Sequence, residues 1–281
     1  MKPVDLDELF RRFAKNYISE NSAEIAGKDD DEILSFMYRE FETTGFPDLG
    51  GKTPLTFYGG DLDYAQALAE HAANGVAIDD YLVDAAVRFA DEQNLLSLLT
   101  PEADENVVIT AIDVLEKKES KIAFNRYIDL LFDEKTDECV IEKLVEVLAD
   151  HADDVCDGIL SRVSADCARE DDAAYILSHS REKKDGIAKL ILRGLNMGDK
   201  IAEYCANAIT YGDESILPDL EEMIDGVDDY VSFKELNLAI EALGGKMRAE
   251  RNFENDKDYI KIKETAKRAA KGEDGDKDQD G

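Results

Sequence analysis

Tryptophan is absent from the chain, and proline is scarce, with 5 residues in 281. Few prolines leave long stretches free to form helix, because each internal proline removes a backbone donor and clashes with the turn before it. Histidine occurs three times, at His71, His151 and His179, and no Glu-x-x-His pair is present. The di-iron bundle built on that pair is therefore disfavoured. The four cysteines, Cys139, Cys156, Cys167 and Cys205, lie 17, 11 and 38 residues apart with no CxxC among them. This spacing matches no paired-cysteine zinc or redox motif, and helical positions make each a small buried apolar residue of a reduced protein. The sequence has no GxSxG, no GxxxxGKS/T and no GxGxxG. That leaves no nucleophile elbow, P-loop or dinucleotide fingerprint. No apolar run approaches the ~18 residues of a spanning helix. The opening MKPVDLDELF is acidic and has no apolar core of signal-peptide length. The expectation is a cytoplasmic protein with no membrane association, no cofactor and no metal.

Positive charge is the other shortage. Against 65 Asp and Glu stand 33 Lys and Arg, a net charge of −32. Such a field repels phosphate backbones and anionic lipid surfaces. It keeps the protein soluble and favours a partner with a basic surface. Apolar residues make up 44% of the chain, too many for a disordered chain despite the charge.

What is present is helical periodicity. Leu6, Leu9, Phe10, Phe13 and Tyr17 fall on one face of a helix from about Pro3 to Asn21. Ile33, Leu34, Met37, Tyr38 and Phe41 do the same from Asp29 to Thr43, with acids in the first turn to suit the helix dipole. GFPDLGGKTP, Gly45 to Pro54, interrupts the pattern and reads as a linker closed by an N-cap at Thr53 and a proline at the first helical position. From Asp61 the chain reads as helix and corner almost without break, with helices expected near 61–73, 79–92, 94–99, 105–118, 122–133, 138–150, 153–164, 169–179, 182–195, 199–211, 214–225, 229–243 and 256–270.

The corners recur. Helix ends align at Leu115, Leu148, Leu177, Tyr211 and Leu243, in steps of 33, 29, 34 and 32 residues. Each is followed by a polar or glycine corner and a second apolar-faced helix. A helix pair every thirty-odd residues marks an α-solenoid, in which neighbouring pairs jointly bury what one pair cannot. In YGDESILPDLEEMIDG (Tyr211–Gly226), Gly212 suits the positive φ that ends a helix. Asp213 suits the cap of the next, and Pro218 lies early in the second helix.

These residues carry a resemblance. AITYGDESILPDLEEMI resembles the corner of HEAT repeats, and LNLAIEALGG is similar to the end of the first HEAT helix. The resemblance covers roughly Glu105 to Gly245 and is clearest over residues 199–245. The three units from Val107 to Leu195 lack the Gly-Asp and the proline. It implies an all-α fold, a solenoid of stacked antiparallel helix pairs, and binding along a helical face. HEAT repeats share no chemistry, so no catalytic residue is implied.

Other candidates weigh less. HADDVC (His151–Cys156) gathers metal-ligand types, but at a helix corner where Asp153 or Asp154 serves more simply as an N-cap. Asp276, Asp278 and Asp280 match only the opening of a calcium loop, whose later ligands are missing. Residues 245–271 hold nine basic residues against five acids, a local reversal of sign that reads as a terminal cap pairing with the acidic body, or as a site for an anion.

The organisation expected is a helical N-terminal cap or subdomain at 1–44, a Gly/Pro linker at 45–53, a HEAT-like α-solenoid at 54–271, and a disordered acidic tail at 272–281. The expected function is a non-enzymatic scaffold or adaptor binding a protein or peptide with a basic surface, and no nucleic acid directly. No catalytic, cofactor or metal residue is named, and the binding residues are not assigned. Two alternatives are an acidic DNA mimic that occupies a DNA-binding partner, and an enzyme with an unrecognised N-terminal site.

Overall fold

The computed structural model describes residues 2–25, 27–164 and 167–270. The acidic tail expected at 272–281 lies outside them. The described residues are helix, turn and loop with no strand among them. They fall into two compact units, within Met1–Leu144 and within Val145–Gly281.

The N-terminal unit carries α1 (Leu6–Glu20), α2 (Ser22–Ile25), α3 (Asp30–Thr43), α4 (Pro54–Phe57), α5 (Tyr64–Ala73), α6 (Asp80–Phe89), α7 (Glu92–Leu96), α8 (Glu105–Lys117) and α9 (Phe124–Leu131). The division between units falls within α10 (Glu138–Asp150). Aspartate explains many of the starts. Asp5, Asp29, Asp63, Asp79, Asp91, Asp104 and, in the second unit, Asp229 each sit at an N-cap and accept a backbone N–H of the first turn. Each such cap stabilises its helix by about 1 kcal/mol, so part of the acid excess does structural work. α1 packs on α3, and α3 on α4. Leu6, Leu9, Met37 and Phe41 are buried there. Phe10, Phe13, Phe41 and Phe46 form a ring cluster with centroids 5.2 to 5.9 Å apart. The Gly/Pro stretch holds a closed turn. Phe46 N–H donates to Lys52 O and Gly51 N–H to Phe46 O, while Leu49 is buried. Farther along, α5 packs against α6, α7 and α8, and α6 against α8.

The C-terminal unit carries α11 (Ala152–Leu160), α12 (Glu170–Ser178), α13 (Asp185–Met197), α14 (Ile201–Tyr211), α15 (Leu217–Gly226), α16 (Tyr230–Ala242) and α17 (Lys257–Ala270). Alternate helices are neighbours: α12 packs on α14 and α14 on α16, with α13 against α12 and α14 and α15 against α16. The corner read from the sequence is present. Gly212 ends α14 with φ 62, Asp213 accepts Ser215 N–H, and Pro218 lies in the first turn of α15. Gly194 lets α13 approach α14 closely, since a Cβ there would collide with the Tyr204 ring.

Several polar ties share a similar reach. In the N-terminal unit Arg126 donates to Leu99 O across 27 residues, Ser120 to Glu92 across 28 and Lys118 to Val87 O across 31. In the C-terminal unit Arg181 pairs with Asp153 across 28 residues, Lys184 with Asp157 across 27 and Lys200 with Asp171 across 29. Arg251 donates to Ile224 O across 27. In these seven the donor is the later residue, whereas Lys183 Nζ donates forward to Tyr211 O across 28 residues and Lys184 N–H to Tyr211 Oη across 27.

Two expectations fail here. Neither Asp153 nor Asp154 caps α11, whose N-cap position is His151. Asp153 instead accepts Ser180 Oγ–H and Arg181 N–H, both at 2.8 Å, because the α12–α13 loop brings three donors to it. The cysteines are also not uniformly buried. Cys156 and Cys205 are, Cys139 is exposed at the start of α10, and Cys167 is half-buried in a loop.

Candidate functional site

Three elements of the N-terminal unit meet at a cleft of about 530 Å3. The N-terminal turn of α1 supplies Leu6, Asp7 and Phe10. The C-terminal half of α3 supplies Tyr38, Phe41 and Glu42. The start of α6 supplies Ile78 to Tyr81 and Asp84. The same capping rule that starts α1 and α6 places acids here, since Asp7 and Asp80 follow the N-caps Asp5 and Asp79. Glu42 and Asp84 have no such reason. Glu42 sits in the last turn of α3, where the dipole opposes a carboxylate, and Asp84 lies beyond the first turn of α6.

The cleft contains five carboxylates, and none of its lining residues is Lys, Arg or His. Asp7, Asp80 and Asp84 enter no ion pair among the described residues, and Glu42 accepts only Tyr81 Oη–H at 3.3 Å. Burial, reinforced by the Glu42 carboxylate, holds the Tyr81 phenol well above its usual range. One wall is aromatic. Phe10 and Tyr38 stack with centroids 4.3 Å apart and planes 8° apart, and Phe41 meets Phe10 edge-on at 5.2 Å. Tyr38 is still 45% exposed, and Leu34 one turn earlier is 41% exposed.

The fifth carboxylate, Asp79, anchors the floor. Its Oδ1 accepts Leu82 N–H at 2.9 Å and its Oδ2 accepts Tyr58 Oη–H at 2.8 Å. Tyr58 Oη lies 3.1 Å from His71 Nε2, and His71 Nδ1 lies 2.8 Å from Ala67 O. Tyr58 and His71 are both 1% exposed. Burial pushes Asp79 above the ordinary carboxylate value, with its hydrogen bonds opposing, and pushes the Tyr58 phenol far up. A buried network with each member bonded is a rigid support.

The residues singled out in HADDVC do not converge. His151 ends one helix and starts the next, Asp153 turns to Ser180 and Arg181, and Cys156 is buried with its thiol pushed up by burial. A different group lies in the N-terminal unit, where ligand atoms of Glu105, Asp137 and Cys139 approach within 4.8 Å of one another on the surface. Asp137 holds the Cys139 thiol in its protonated form, the opposite of an activated thiolate. In the basic segment, Arg248 and Arg251 donate to Glu221, Ile224, Asp225 and Val227 carbonyls at the end of α15, where cations suit the dipole. Among the described residues, no helix is long and apolar enough to cross a membrane.

Comparison with protein-family models, with curated proteins and with solved structures gives no match in any of the three.

Proposed function

We propose that this chain is a non-enzymatic scaffold, an α-solenoid of HEAT-like helix pairs that holds a protein or peptide partner with a basic surface. The observation that carries the reading is the reach of the polar ties, 27 to 31 residues. It overlaps the repeat of 29 to 34 residues in the sequence. In six of the seven a basic residue reaches back to an earlier carbonyl or carboxylate, and in the seventh Ser120 reaches back to Glu92, as stacking of neighbouring repeats would require. The contacts of α12, α14 and α16 fit one layer of such a stack. The net charge of −32 sets the sign of the partner and speeds its approach.

The test is affinity capture with the full chain at low and high salt, followed by cross-linking to locate the bound partner. The expected result is a basic partner released by salt, with cross-links on successive helices at intervals of about one repeat. Turnover of a small molecule, or the absence of any captured protein at either salt, would remove the reading.

A further inference from the structure

We infer that the buried triad of Tyr58, His71 and Asp79 is a one-proton site that makes the packing of α4, α5 and α6 depend on pH. The site stands apart from the scaffold reading. His71 Nδ1 lies 2.8 Å from Ala67 O. A carbonyl oxygen only accepts, so that nitrogen carries a hydrogen. Tyr58 Oη lies 3.1 Å from His71 Nε2 and 2.8 Å from Asp79 Oδ2. Its single hydrogen serves only one of them. With a neutral His71 and an ionised Asp79 both neighbours are acceptors, and one contact has no hydrogen. One added proton completes the set. Placed on Nε2, it lets His71 donate to Tyr58 and Tyr58 to Asp79. Placed on Oδ2, it lets Asp79 donate to Tyr58 and Tyr58 to His71. Either placement satisfies every contact, so the proton belongs to the triad rather than to one residue. Tyr58 and His71 are each 1% exposed, which shuts out bulk water as a replacement.

The surroundings supply no competing cation. Asp79 enters no ion pair among the described residues. Glu70 on α5 and Asp79 at the start of α6 are the charged groups beside the ring. Beyond Asp79 stands the Tyr81 phenol, bonded to Glu42 of α3. Tyr64 Oη donates to Tyr58 O, and Lys52 Nζ to Phe57 O. Of the other helices packed on α5, α7 turns Glu92 to Ser120, and α8 turns Asp113 to Lys143 and Glu116 to Tyr127. Asp80, Asp84 and Arg88 of α6 are exposed.

Loss of the proton leaves a buried net negative charge and one contact short. The folded chain therefore releases it at a higher pH than the unfolded chain, where a free histidine gives up its proton near about 6.5. A folded value raised above the unfolded one contributes stability that is full below about pH 6.5 and lost as pH rises through the folded value. Tyr58 closes α4, His71 sits in the last turn of α5 and Asp79 caps α6. The proton thus joins three elements, and its departure loosens them together.

The test is hydrogen exchange of the full chain between about pH 6 and about pH 9, read as protection factors so that the intrinsic pH dependence of exchange cancels. Amides of α5 and α6 are expected to lose protection above neutral pH, by up to about tenfold per pH unit, the slope of one released proton. Amides of α14 are expected to keep theirs. Asp79→Asn supplies the missing hydrogen permanently. Its side-chain oxygen can still accept Leu82 N–H as the N-cap, while its NH2 donates to Tyr58 and frees the Tyr58 hydrogen for His71. This variant is expected to fold and to show protection in α5 and α6 that does not change over the same range. Flat protection in the wild type, a slope in Asp79→Asn as steep as in the wild type, or an equal slope in α14 would overturn the site. So would an Asp79→Asn chain that does not fold, because the amide completes the triad.

Discussion

Two sets of acids, one in each unit, are treated differently, although the N-terminal unit also pairs Asp48 with Arg12 and Asp113 with Lys143. In the C-terminal unit acids meet bases. Asp153 meets Arg181, Asp157 meets Lys184, Glu170 meets Arg193 and Asp171 meets Lys200. In the cleft of the N-terminal unit Asp7, Asp80 and Asp84 enter no ion pair among the described residues, and Glu42 meets a tyrosine hydroxyl. The first set joins helices distant in sequence and contributes to folding. The second set lines one cavity and enters no ion pair among the described residues. The comparison teaches that net charge alone does not say which carboxylates already have a cation.

The pairing is broken most severely at Arg193. Its Nε lies 2.5 Å from Glu170 Oε1, and the Glu170 side chain is only 8% exposed. Arg193→Ala leaves a buried carboxylate without a counterion, an expected cost of about 2–4 kcal/mol. Hydrogen exchange of α12 and α13 amides should accelerate accordingly, with α5 and α6 unaffected. Exchange that stays unchanged in α12 would mean that Glu170 does not depend on the pair.

A smaller effect separates Asp153→Asn from Asp84→Asn. Ser180 first, then the Arg181 backbone and side chain, draw the Asp153 carboxyl down to about 2. A depressed folded pKa contributes stability that is present above the unfolded value and lost as pH falls through the folded one. Asp153→Asn is therefore expected to destabilise the C-terminal unit at neutral pH. Its deficit should shrink between about pH 4 and about pH 2, as the wild type loses the same contribution. Asp84→Asn is expected to leave the N-terminal unit as stable or slightly more so. Asp79 adds the opposite sign. Its folded pKa is raised, so the folded state takes up a proton first as pH falls toward the ordinary aspartate value, and the N-terminal unit gains there. Parallel acid titrations followed by hydrogen exchange test both directions. A destabilising Asp84→Asn would show that the cleft carboxylate is structural.

The smallest expected effect is that of salt. Raising NaCl from about 0.05 M to about 0.5 M shortens the screening length from about 14 Å to about 4 Å. It should stabilise the N-terminal unit by relieving unpaired repulsion and leave the C-terminal unit level or weaker. Equal shifts in both would erase the contrast.

How much of this was legible depends on distance along the chain. Each corner feature spans a few residues, and Gly212, Asp213 and Pro218 sit where local chemistry puts them. Helices expected at 105–118, 138–150 and 199–211 are found at Glu105–Lys117, Glu138–Asp150 and Ile201–Tyr211. Asp153 was misread because a cap is the local use of an aspartate, whereas its donors lie 27 and 28 residues away. The short α2 and the 3-10 turn at Pro47–Leu49 lack an apolar period to announce them. The cleft combines residues 7, 38–42 and 78–84, and no local rule says that these three segments converge.

The ties that reach back across 27 to 31 residues bear on how the chain finds its fold. Each closes a loop of about a tenth of the 281 residues, so little entropy is surrendered before a contact rewards it. Each of these seven ties can close once its later donor has left the ribosome.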